Sequence, residues 1–69
     1  MNIKVKIGLR IRDLRQKRSL SQEKFSHLCE LDRTYIASIE NGKRNVSIVN
    51  IEKITKALGV TLAEFFKGI

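Results

Sequence analysis

Apolar residues recur along this chain in short bursts at helical spacing, and most bursts are introduced by a small polar residue. In four places a Ser, Asp or Thr stands between an apolar residue just before it and another four positions after it. These are Ser21 between Leu20 and Phe25, Asp32 between Leu31 and Ile36, Ser47 between Val46 and Ile51, and Thr61 between Val60 and Phe65. A polar N-cap side chain accepts from an otherwise unpaired N–H of the first turn, and the bracketing apolar pair fixes the direction in which the chain enters the helix. Four helix starts are predicted on this ground, with Glu64 completing a capping box at the last. Gly42 and Gly59 stand where a left-handed residue would end the third and fourth helices. Ahead of these, Ile7, Ile11 and Leu14 share one face of a first helix running roughly from Ile7 to Lys17. The alternation Ile3-Lys4-Val5-Lys6-Ile7 fits a short strand or the start of that same helix. The expected fold is all-α, five helices of about eight to twelve residues joined by short turns, in a single domain spanning residues 1–69.

Between the caps Ser21 and Asp32 there is room for a helix of only about two turns, and Glu30-Leu31 leaves a tight turn before the next. Two helices so joined cross steeply, a helix-turn-helix over about residues 21–40. Phe25, Leu28 and Cys29 are expected to pack against Ile36 and Ile39, which turns Arg33, Thr34, Ala37 and Ser38 outward with Tyr35 nearby. That face is small, polar and led by arginine, which suits a helix inserted by its N-terminal end into the major groove. Arg33 can pair with guanine O6 and N7, and Thr34 and Ser38 can hydrogen-bond bases. A cation at the start of a helix opposes the helix dipole, so Arg33 there points to an external anion. Tyr35 admits two readings, a contact with DNA at a flexible step or an aromatic at the rim of the core with its hydroxyl in solvent.

Charge agrees with this picture. The 69 residues carry 14 Lys and Arg against 7 Asp and Glu, a formal net charge of +7, and phosphate polyanions reward such an excess whatever their sequence. Seven of the basic residues precede Ser19, and the first-helix arginines are expected to be solvated, contributing a field more than contacts. The charges recur too often for a secretory h-region and no transmembrane run exists, so a cytoplasmic protein without a membrane partner is expected. One cysteine excludes an internal disulfide and one histidine excludes a zinc cluster. Cys29 is expected to be a small buried apolar residue, and His27, two positions away, faces elsewhere. No acid, base and nucleophile converge, so no enzyme, cofactor, metal or small-molecule ligand is expected.

A domain this small commonly gains support from disulfides, metal or self-association, and only the last remains. Ile51, Ile54, Leu58 and Phe65 are assigned to the monomer core. Val49, Leu62, Phe66 and Ile69 are assigned to a two-fold interface, which would set two recognition helices about one DNA turn apart, roughly 34 Å.

Leu20-Ser21-Gln22-Glu23, Glu40-Asn41-Gly42-Lys43-Arg44, Ile51-Glu52-Lys53-Ile54 and Leu58-Gly59-Val60 together resemble the phage-repressor and Cro (Xre-type) helix-turn-helix family, over nearly the whole chain. Within it, Leu31-Asp32-Arg33-Thr34-Tyr35-Ile36 followed by Arg44-Asn45-Val46-Ser47-Ile48 looks like the controller proteins of bacterial restriction-modification systems. The resemblance implies a lambda-repressor-like fold and a homodimeric transcriptional regulator on a double-stranded operator. It implies that Arg33, Thr34 and Tyr35 meet the operator, that Arg44 and Asn45 touch DNA beside the recognition helix, and that Gln22 contacts phosphate. Lys43 has the same backbone role in prospect. It further implies autoregulation and activation of a neighbouring nuclease gene, with RNA polymerase recruited through an acidic patch at Glu23 or Glu40. A phage-type repressor and a DNA-binding antitoxin are the rival readings. Glu30 departs from the pattern, standing where relatives often have glycine: either a non-glycine residue is left-handed there, at about 1 kcal/mol, or the turn has another shape.

Overall fold

In the computed structural model, which describes residues 2–69, five helices follow one another: α1 Ile3–Lys17, α2 Gln22–Cys29, α3 Arg33–Glu40, α4 Ile48–Leu58 and α5 Leu62–Phe66. All four expected caps are made. The Ser21 hydroxyl accepts from Lys24 N–H at 3.0 Å, Asp32 Oδ2 from Thr34 at 3.0 Å, and Ser47 Oγ from Asn50 at 3.2 Å. Thr61 and Glu64 close a reciprocal capping box. Every bracketing residue is also engaged: Phe25, Ile36, Ile51 and Phe65 are buried, and Leu20, Leu31, Val46 and Val60 pack against the same core. Each staple therefore serves twice, as a local start signal and as a tertiary contact.

The first helix begins four residues before the expected Ile7. Asn2 supplies the reason, since its side chain accepts from the Val5 N–H at 3.0 Å and caps the helix there. The alternating Ile3 to Ile7 stretch is thus helical, with Ile7 against the core and Ile3 exposed.

Ile11 and Leu14 of α1, Phe25 and Cys29 of α2, Ile36 and Ile39 of α3, Ile51, Ile54 and Leu58 of α4 and Phe65 of α5 form one core. Leu28 does not join it, contrary to expectation, and is 58% exposed. Phe25, Ser26 and Cys29 make up the buried stripe of α2, and at roughly 100° per residue Leu28 falls outside that stripe. It lines a groove with Lys53, Lys56 and Ala57 of α4 instead. The inward Ser26 satisfies its hydroxyl on the Glu23 carbonyl at 2.7 Å.

Two features lock α1 to α3. At Gly8 the helices approach so closely that a side chain would run into the carbonyl oxygens of Ile39 and Glu40. Beyond it, Arg15 is not solvated as expected but buried, with Nε donating to Glu40 Oε2 at 2.7 Å and Nη2 to Glu40 Oε1 at 2.9 Å. Nη1 donates to the Leu20 carbonyl at 2.8 Å. The hydrogen bond to Glu40 raises the Arg15 pKa against the opposing effect of burial. Arg10 is committed as well: its guanidinium donates to the Phe65 carbonyl at 3.0 Å and the Glu64 carbonyl at 2.8 Å, so a cation closes the C-terminal end of α5.

Candidate nucleic-acid interface

The recognition face is built by the turn between α2 and α3. Glu30 ends α2 at φ 58° and ψ 38°, the left-handed region, so the turn has the shape a glycine would give it and a glutamate bears the strain. In this conformation Glu30 N–H reaches the His27 carbonyl and Leu31 N–H the Ser26 carbonyl, at 3.1 and 3.0 Å. The chain then passes Leu31 into the core and starts α3 at Asp32.

Along α3, Ile36, Ile39 and Glu40 are buried while Arg33 and Thr34 are exposed. The inward residues hold the helix in place, and the first turn is left free. Arg33 makes no ion pair among the described residues, leaving its charge uncompensated at the positive end of the helix dipole. Ala37 and Ser38 are half-buried along the flank. The Asp32 carboxylate accepts from the Thr34 N–H, and the Thr34 side chain is exposed.

Tyr35 sits at the rim of the core, with its hydroxyl hydrogen-bonded within the protein and not left to solvent. It is half-buried against the core, its hydroxyl accepts from Asn50 Nδ2 of α4 at 3.0 Å, and the Arg44 guanidinium lies 5.2 Å from its ring centroid. That arrangement joins α3, the α3–α4 connection and α4. In the connection, Gly42 at φ 73° lets its own N–H reach Ile39 O and the Lys43 N–H reach Ser38 O. Lys43, Arg44 and Asn45 are exposed beyond it, with the Arg44 guanidinium over the Tyr35 ring.

The half-buried Gln22 side chain is tied to α3 through one of its amide hydrogens. Its Nε2 donates to Glu40 Oε1 at 3.1 Å, which makes it a third member of the Arg15–Glu40 network. The same network takes Glu40 out of any acidic surface patch, because the carboxylate is buried and bonded on both oxygens; Glu23 remains exposed. Neither the Arg15–Glu40 pair nor Asn50 was foreseeable as part of this region, since their partners lie far along the chain. The one available hint was an arginine and a glutamate on otherwise apolar helix faces.

Of the residues assigned to self-association, Val49 is 62%, Leu62 40% and Phe66 37% exposed. Ile69 is half-buried against the monomer core and has the least surface to offer. Ile48, beside Val49, is also exposed. Cys29 is buried, which pushes its thiol up to about 12, so it is uncharged at neutral pH. No cluster of His, Cys, Asp or Glu suited to a metal occurs among the described residues, and no described helix is long and apolar enough to cross a membrane.

Residues 11–65 match the helix-turn-helix family. The control protein C.MunI of a Mycoplasma species is 55% identical over 69 residues, 99% of this chain and 93% of that protein. The crystal structure of the restriction-modification controller protein C.AhdI from Aeromonas hydrophila superposes with a TM-score of 0.88 at 48% identity, covering 91% of each chain. The controller protein C.Esp1396I, solved as a tetramer in complex with its natural 35 base-pair operator, superposes with a TM-score of 0.90 at 34% identity over 97% of this chain and 88% of that one. With the helix-turn-helix built from α2 and α3 and these similarities spanning nearly its full length, the chain belongs to the Xre-type helix-turn-helix family, and the proteins it resembles there include controller proteins of restriction-modification systems.

Proposed function

We propose that this protein is a homodimeric controller of a restriction-modification system, regulating transcription from a pseudo-palindromic operator that it reads through the major groove. One observation carries the base-reading part: Arg33 and Thr34 stand free at the start of α3 while Ile36 and Ile39 anchor the same helix. Arg33 pairs with a guanine edge, Thr34 and Ser38 bond neighbouring bases, and Tyr35 lies against the duplex beside them. Lys43, Arg44 and Asn45 hold the flanking backbone, consistent with their exposure and the net charge of +7. Gln22 reaches phosphate with the amide hydrogen that Glu40 does not use.

Val49, Leu62 and Phe66, with the edge of Ile69, form the two-fold contact that spaces two recognition helices by about one DNA turn. The operator-bound tetramer of C.Esp1396I supports two dimers on adjacent sites here as well. Glu23 is the acidic group left for RNA polymerase.

The experiment is selection of duplexes from a random pool by the unaltered chain, followed by titration of the winning duplex at increasing salt. A two-fold-related sequence bound with affinity falling as several powers of salt concentration is expected. A pool that yields no enriched sequence would remove the operator from the proposal. Arg33→Ala should weaken the selected duplex by about 1 to 3 kcal/mol and relax one guanine position.

A further inference from the structure

The first turns of α4 and α5 differ in one respect. At α5 the third residue after the cap, Glu64, returns a hydrogen bond to Thr61. At α4 the equivalent residue is Asn50, whose backbone N–H uses the Ser47 hydroxyl in the same way. Its side chain, however, leaves its own helix and donates Nδ2 to the Tyr35 hydroxyl at 3.0 Å. An amide placed where it would ordinarily support the start of α4 is turned to a residue of α3 instead. Arg44 covers the same ring from the intervening connection.

A phenol oxygen carries one hydrogen and accepts through its lone pairs. With Asn50 as donor, the lone pair facing α4 is taken and the hydroxyl hydrogen must turn away from it. Building on the DNA reading above, we propose that Asn50 is a positioning residue for operator recognition. By donating to Tyr35 it aims the tyrosine's own proton at an acceptor on the DNA, either a phosphate oxygen or an acceptor atom on a base edge. Tyr35 is then oriented to serve the duplex chiefly as a donor, because one of its acceptor positions is already filled. Asn50 contributes to sequence preference without touching the duplex itself. A bare staple between α3 and α4 would stabilise the fold equally, but would leave preference between duplexes unmoved.

The test compares the unaltered chain with Asn50→Ala, Tyr35→Phe and the double variant. Each is titrated against a duplex that the unaltered chain selects from a random pool, and against a scrambled duplex of equal composition. Asn50→Ala is expected to lower the preference for the selected duplex about tenfold, the size of one neutral hydrogen bond. In the Tyr35→Phe background the same replacement should change it by less than about twofold, because the two act as one unit. Tyr35 is the only tyrosine, so a 13C-labelled tyrosine ring gives one resonance, and Asn50→Ala must move it in the free protein. Preference unchanged in Asn50→Ala, with only the melting temperature lowered, overturns the proposal. Strictly additive effects also overturn it and make Asn50 an independent DNA contact. If the unaltered chain selects no sequence, the DNA reading fails and this proposal with it; if it selects one and Asn50→Ala keeps the preference, only the role of Asn50 fails.

Discussion

Arg15 of α1 and Glu40 of α3 form a buried, two-bond ion pair, 2.7 and 2.9 Å, at the end of the helix whose beginning faces outward. Charges out of water are costly unless every donor and acceptor is met, and here Leu20 O and Gln22 complete the set. Removing one partner strands the other: Arg15→Met or Glu40→Leu should each cost about 3 to 5 kcal/mol, whereas the double replacement should recover much of that loss. Urea unfolding of the three variants checks this. Single variants as stable as the unaltered chain would mean that the pair is solvated in solution.

Glu30 occupies left-handed backbone that glycine adopts without cost. Glu30→Gly should therefore stabilise the fold, by about 0.5 kcal/mol or less once glycine's larger unfolded-state entropy is subtracted from a left-handed penalty of about 1 kcal/mol. Thermal melts of the two proteins decide the sign. A lower melting temperature would show that the Glu30 side chain contributes more than its backbone loses.

The Cys29 thiol is raised to about 12 by burial. Below the ordinary thiol range both folded and unfolded states keep the proton, and the stability associated with the neutral thiol is fully present. As pH climbs from that range toward about 12, only the unfolded state ionises, so the stability declines through this window. Chemical unfolding at stepped alkaline pH should show a decline that Cys29→Ala lacks. At neutral pH, labelling by a thiol reagent should keep pace with unfolding; rapid labelling of the native protein would contradict the burial.

Arg10 holds the last carbonyls of α5, a helix of five residues. Arg10→Ala should cost about 1 to 2 kcal/mol and, by loosening the helix that carries Leu62 and Phe66, weaken self-association. Phe66→Asp should shift sedimentation toward monomer with little change in melting of the monomer itself, since its ring is partly exposed. A dimer that survives both replacements would move the contact to another face.

The helix starts were legible because capping is local. Ser21, Asp32, Ser47 and Thr61 need only their next few residues to declare themselves, and the apolar brackets add the direction of the core. Arg33 and Thr34 followed from the same frame, since fixing Ile36 and Ile39 inward leaves them outward. Leu28 was misplaced because a two-turn helix has a narrow buried stripe, and its edge depends on how α4 crosses α2. Arg15 departs from expectation for a similar reason: its partner lies 25 positions away, and its place on an apolar helix face is the one local sign that sets it apart. The bond of Asn50 to Tyr35 and that of Gln22 to Glu40 are hidden likewise, since both form only when the fold brings α3 alongside. The start of α1 was mistaken by one turn because the apolar spacing is ambiguous there and the capping Asn2 precedes it.

Gly8 leaves no room for even one methyl between the first and third helices. The seat of α3, the helix proposed to read the operator, is consequently set by a position of α1 that bears nothing larger than a hydrogen atom. Adding a single carbon at that crossing would pry α3 off its seat while leaving all of its own side chains intact.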